Sequence, residues 1–235
     1  MLAPHVAHGK SIQYVKNDTS QPLDEKGIKL VQSIVGSTSH GARLIDNTAL
    51  VAINELGSQQ STSTTNTITL CSWLLDYVAT CPNPSITFRS SDMILCVASE
   101  SSYSSVANSR SRVGGCHFLG NQPKLNVPLA DQIIFHNAPT HVEASILKSV
   151  MSAASESEIA AAYVNAKLAV PIRICLLEMG HHQPATPLEI DNTTAYGILT
   201  KQLMPKRSKS IEMRFYWLRD RENQRQFQLY WKKAC

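Results

Sequence analysis

Near residue 84 the hydrophobic period of this chain changes, and the order of periods that follows restricts its fold more than any other feature. Up to that point apolar residues recur at helical spacing. Ile28, Val31, Ile34 and Val35 share one face of a helix starting at Glu25 and running towards Ile45 through the polar stretch "GSTSHG". "DNTALVAINEL" reads as a second helix with Asp46 or Asn47 as its cap. A third spans Ile68 to Ala79 with Leu70, Leu74, Leu75 and Val78 inward. Pro82 and Pro84 close this helical module. Beyond it, "SITFRS", "DMILCVASES", "RVGGCHFLG", "LADQIIFHNA" and "HVEASIL" carry strand patterns. Helices resume at about Ser155, and Pro171 is expected to open a separate one. A strand to Asp191, two helices and a terminal strand "QFQLYW" complete the order. Strands interleaved with helices in this way describe an α/β domain over residues 85–235. It follows a helical unit over 23–84, and residues 1–22 are expected to form a flexible arm.

The composition fits a globular chain, at 43% hydrophobic and 17% charged residues. No uninterrupted apolar run is longer than Ile159 to Val164, far shorter than a bilayer span, so no membrane partner is expected. Six cysteines fall singly and without metal-finger spacing, mostly in apolar segments. They read as buried free thiols of an intracellular, cytoplasmic protein. The net charge of +4 is unevenly spread: from Lys201 onward there are ten Lys and Arg against three acids, leaving the first 200 residues net negative. A basic C-terminal quarter suits a polyanion such as nucleic acid, although a merely solvated helix face has the same composition.

Three acids stand at the ends of core elements. Glu100 follows the apolar strand Met93–Val97, Glu158 lies at the start of an Ala-rich helix, and Asp191 closes the strand "LEI". Each has an ordinary explanation. Glu100 could be a turn residue, Glu158 could complement the positive end of its helix, and Asp191 could cap the next one. Together they could also hold hard divalent cations for phosphodiester hydrolysis, because such ions prefer oxygen ligands held rigidly.

From about Asp24 to Trp231 the chain resembles the C-terminal part of a copia-type retrotransposon polyprotein, the end of its reverse transcriptase joined to RNase H. "LVQSIVGSTSHGARLIDNTALVAINELGSQQ" is similar to the family's reverse-transcriptase tail, and "SESSYSSVANSRSRVGGCHFLGN" to its first RNase H hairpin. There the usual Ser-Asp-Ala-Ser/Asp appears as Ser99-Glu100-Ser101-Ser102. "SAASESEIAAAY", "IDNTTAYGI" and "RSKSIEMRFYWLRDR" resemble the later segments in the family's order.

The resemblance implies an RNase H-like mixed sheet flanked by helices, acting on an RNA–DNA hybrid or other nucleic acid. It makes Glu100, Glu158 and Asp191 the catalytic ligands of Mg2+, with Mn2+ as a substitute, and Glu156 a neighbour of the second. Lys206, Arg207, Lys209 and Arg214 are the candidates for gripping phosphates. The chain departs from the family in having Glu where the first Asp belongs, and in Ser37-Thr38-Ser39-His40, where the family's helix is apolar. The sequence to Cys235 also has no counterpart of the family's final acidic segment. Weak or absent cleavage is therefore expected, since a carboxylate misplaced by about 1 Å can cost ~100-fold in rate. A non-catalytic nucleic-acid-binding module or a decayed fragment is the alternative.

Overall fold

In a computed structural model, residues 18–134, 136–200 and 209–232 are described, apart from the side chains of 209–212. Three helices come first: α1 (Glu25–Leu44), α2 (Leu50–Gln59) and α3 (Thr65–Thr80). The polar stretch does not interrupt α1, because its hydroxyls find partners within the helix. Thr38 Oγ1 donates to the Ile34 carbonyl at 2.8 Å and Ser39 Oγ to that of Val35 at 2.5 Å. Asn47 does not cap α2; its amide donates back to the carbonyls of Ala42 and Arg43 at the end of α1. On α3 the inward face is Thr67, Cys71 and Leu74, whereas Leu75 and Val78 are exposed, correcting the expected face. A capping box between Thr64 and Thr67 starts this helix. Residues 1–17 of the expected arm lie outside the described residues. Residues 18–22 are tied down, with Asp18 accepting from Ser20 and Thr64 and the Gln21 carbonyl accepting from Thr65.

The remainder forms one five-stranded sheet of β1 (Ile94–Val106), β2 (Arg110–Gly120), β3 (Pro139–Glu143), β4 (Thr186–Ile190) and β5 (Phe227–Trp231). Their spatial order is β3-β2-β1-β4-β5. β1, β2 and β3 pair antiparallel, and β4 and β5 run parallel to β1. Each parallel pair needs a crossover, and the helices supply it: α4 (Ala154–Glu178) before β4, and α5 (Thr193–Leu199) with α6 (Lys209–Asn223) before β5. The main core joins Leu95 and Val97 of β1, Leu188 and Ile190 of β4, and Ile159, Ala162, Ala166 and Ala169 of α4. Phe215 and Leu218 of α6 close it.

The sequence and the structure differ in four further places. "SITFRS" forms no strand, and neither do the described residues of "LADQIIFHNA". They are laced by Asn137, whose side chain accepts from the Arg89 amide at 2.9 Å and donates to the carbonyls of Arg89 and Leu119. Pro171 opens no new helix but lies inside α4. Proline removes one helical hydrogen bond, yet Ala166 and Ala169 before it and Leu176 after it pack into the same core and hold the helix together. This longer helix is apolar enough by length and composition to cross a membrane, with a mean hydropathy of 1.5 over its most apolar stretch, and half of that stretch is buried in the fold. Finally, all five described cysteines are free, but only Cys71 and Cys96 are buried; Cys81 and Cys175 are exposed. The basic loop around Lys206 and Arg207 lies outside the described residues, as does the side chain of Lys209.

Candidate active site

β1 does not stop at Glu100 but continues to Val106, and the chain turns at Ala107–Ser109, where Asn108 adopts φ 61°. What ends near Glu100 is the pairing with β4. Ser99 and Ile190 are the last partners, so Glu100 and Asp191 are the next residues on two adjacent parallel strands. Strand neighbours lie about 4.8 Å apart, so the register alone brings these two acids together. Asp191 does not cap α5. That work belongs to Asn192, whose Oδ1 accepts from the Ala195 amide at 2.9 Å. The Asp191 carbonyl accepts from Trp231 Nε1 at 2.9 Å, while its Oδ1 is buried without a hydrogen-bond partner.

The start of α4 divides its acids in the same way. Glu156 sits in the first turn and its Oε2 accepts from the Ser152 amide at 2.7 Å and from the Ser152 hydroxyl at 2.5 Å. Glu158 lies two residues deeper and is 6% exposed. Its Oε1 accepts from the Ser101 amide at 3.0 Å and hydroxyl at 2.9 Å, and its Oε2 is buried and unpartnered. This tie joins α4 to the strand residue beside Glu100.

Electrostatics register the same gathering. Burial pushes the Glu158 carboxyl up to about 7; Ser101 opposes this, and the charges of Asp191 and Glu100 reinforce it. Glu100 is open to solvent on one side, yet it is crowded enough that desolvation, then the charge of Asp191, raises its carboxyl above the ordinary range. Glu100 and Asp191 border a cleft of about 430 Å3, whose other walls include Arg112, Glu143 and, from the helical unit, Asn47 and Val51. That unit packs on the β2–β3 side of the sheet. Arg112 pairs with Glu55 and donates to the Ala144 carbonyl, which also accepts from Asn54.

The five strands, in this order and with these directions, the α4 crossover and the three acids at one end of the sheet together define the architecture. The fold is RNase H-like. Solved RNase H structures similar to this RNase H-like domain include LC11-RNase H1 isolated from compost, at 8% identity and TM-score 0.41 over 60% of this chain and 84% of that one. The N-terminal RNase H domain of Rv2228c from Mycobacterium tuberculosis matches at 9% and 0.38, with 60% and 84% covered. RNase H1 of Halobacterium salinarum matches at 13% and 0.35, with 60% and 83% covered. No family model and no curated protein matches the chain.

The donor chemistry of the carboxylate cluster suits a hard cation, since it is all carboxylate and two of the oxygens are buried without a partner. Among the described residues, however, no three His, Cys, Asp or Glu side chains are gathered into a group that could hold a metal ion. One oxygen of Glu158 is turned to Ser101, and the like charges oppose closer approach. Of the basic candidates, only Arg214 has a described side chain. It is half-buried, and its guanidinium donates to Met151 Sδ at 3.8 Å. Sequence reasoning missed Ser101, which holds Glu158, and Asn165, a fully buried polar residue in α4. The signal for Asn165 was a single amide within the apolar run "AAAYVNAKLAV".

Proposed function

We propose that this chain carries the RNase H-like domain of a copia-type retroelement, joined to the helical tail of its reverse transcriptase, and that its ancestral reaction is hydrolysis of the RNA strand in an RNA–DNA hybrid. One observation carries the reading: Glu100, Glu158 and Asp191, from three separate elements, lie at one end of the sheet, near enough for the charge of Asp191 to raise the proton affinity of both glutamates. Glu100, Glu158 and Asp191 would hold Mg2+ or Mn2+, which when bound activates water and stabilises the leaving oxygen. Asp191 offers a buried unpartnered oxygen, and Ser101 fixes the rotamer of Glu158. Lys206, Arg207, Lys209 and Arg214 would position the phosphate backbone without reading sequence.

Cleavage by this chain is weak or lost on the same reading. Glu100 carries one methylene more than the family's Asp, and near neutrality a Glu158 titrating at about 7 is half protonated, so a cation must displace a proton to bind. These two features also favour the second reading, a nucleic-acid-binding module with its chemistry reduced. An assay of hybrid cleavage in Mg2+ and in Mn2+ separates the readings. The chain, Glu100→Asp and Asp191→Asn are compared, and Glu100→Asp is expected to raise cleavage while Asp191→Asn abolishes it. Cleavage indifferent to Asp191→Asn would sink the site assignment. Salt-dependent hybrid binding with no cleavage by any variant would establish the binding module.

A further inference from the structure

Asn165 is wholly inaccessible to solvent and lies in α4, two helical turns beyond Glu158. Its Nδ2 lies within donating distance of three acceptors that share its two hydrogens, the Ser99 hydroxyl at 3.0 Å, the Gly114 carbonyl at 2.9 Å and the Ala161 carbonyl at 3.1 Å. The two carbonyl acceptors fix which end of the amide is nitrogen, since only the NH2 group can serve them. These partners are placed around the site. Ser99 precedes Glu100 on β1, Gly114 is the cross-strand partner of Glu100, and Ala161 is three residues beyond Glu158. The opposite rung is shaped to admit the amide. A Cβ on Gly115, which pairs with Ser99, would stand 1.8 Å from Asn165 Oδ1. A glycine that leaves space for one buried amide, at the expense of a strand side chain, marks a contact that packing alone does not require.

We propose that Asn165 is a positioning residue for the carboxylate site. Its amide pins α4 to the Ser99–Gly115 rung and so sets where Glu158 stands relative to Glu100. Two ties then bracket Glu100, Asn165 to Ser99 on one side and Glu158 to Ser101 on the other. The inference deepens the proposed hydrolase reading but has a readout of its own. The Ser101 amide donates to Glu158 Oε1, so its hydrogen exchange reports whether Glu158 is in place.

The test measures amide exchange by NMR on the full chain, for the native sequence, Asn165→Ala, Ser99→Ala and the pair Asn165→Ala with Gly115→Ala. The pair refills the vacated space with a methyl group but restores no donor, so it rescues packing and not positioning. Exchange at Ser101 is expected to rise about tenfold or more in Asn165→Ala and in the pair, and by a smaller factor in Ser99→Ala, with Leu95 and Val97 unchanged in the pair. Slow exchange at Ser101 in the pair, or equal acceleration of Ser101 and the core amides in every variant, would overturn the proposal. Mn2+ binding to the native chain, followed by the loss of its free-ion EPR signal, tests the hydrolase reading separately. An absence of binding removes that reading, while the Ser101 result still decides the role of Asn165.

Discussion

The seam where β4 meets α5 and the seam where α4 begins solve one problem with different residues. Each needs a polar group for exposed helix amides or the turn before them, and each holds an acid near the core. In both, a neighbour does the helix-end work: Asn192 caps α5, and Glu156 binds back to Ser152. The second acid is left with an unpartnered buried oxygen, Oδ1 of Asp191 and Oε2 of Glu158. The seams differ in what holds that acid. Burial raises the Glu158 carboxyl to about 7 against the pull of its Ser101 hydrogen bonds, whereas Asp191 is half-buried and anchored through its backbone carbonyl to Trp231. A buried carboxylate with one oxygen unpaired is costly to keep ionised, which is why burial raises the proton affinity of Glu158. At the α4 seam, a cation must displace the proton of Glu158 to bind.

Four measurements sharpen or break that contrast. The largest effect is on chemistry. Asp191→Asn is expected to lower residual Mn2+-supported hybrid cleavage ~100-fold or more while leaving thermal stability within about 0.5 kcal/mol. A large loss of stability in a melting experiment would mean that Asp191 belongs to the fold instead.

The second effect is on the pH dependence of stability. The folded carboxyl of Glu158 titrates at about 7 and the ordinary value is 4.5, so between these pH values the native state holds more protons than the unfolded one. Stability from this group is full below about 4.5 and is lost as the pH rises through 7, by up to about 3 kcal/mol. Urea unfolding from pH 4.5 to 8 should show this fall relative to Glu158→Gln, which keeps an acceptor for Ser101 and has no proton to lose. Buried His117, lowered chiefly by desolvation, contributes with the opposite sign in part of this range, so the difference between the two curves isolates Glu158. Parallel curves would remove the contrast between the seams.

Third, Asn192→Ala should destabilise by about 1 kcal/mol as a lost cap, more than Asp191→Asn does. The reverse order would return the cap to Asp191. The smallest effect concerns the basic quarter. Arg214→Ala should reduce the salt slope of hybrid affinity by about 1 if the guanidinium meets a phosphate, and leave it unchanged if its contact with Met151 is its whole role.

Much of this arrangement could be read from local pattern. Alternation located β1, β2, β4 and β5, and the helical period located α1, α3 and the start of α4. The strand patterns at residues 85–90 and 129–138 misled because a local pattern does not supply a face to pack on, and Phe88 and Ile133 are exposed. Nor does it show that an edge is free to pair with the segment. Pro171 misled for a related reason. Its local cost is real, but apolar packing on both sides of it is decided by the sheet beneath.

By itself the sequence determined that acids stand at the ends of core segments, that the hydrophobic periods run in the order of an α/β domain, and that charge is concentrated near the C-terminus. These properties depend on residues close together in the chain. The tertiary structure alone decided that Asn192 and not Asp191 caps α5, and that Asp191 and Glu158 each keep an unpartnered oxygen. It also decided that Ser101 holds Glu158 across 57 residues, and that Asn165 reaches Ser99 across 66 over a glycine kept small for it. Those pairings depend on strand register and on where α4 crosses the sheet, and register is fixed by the whole buried surface at once.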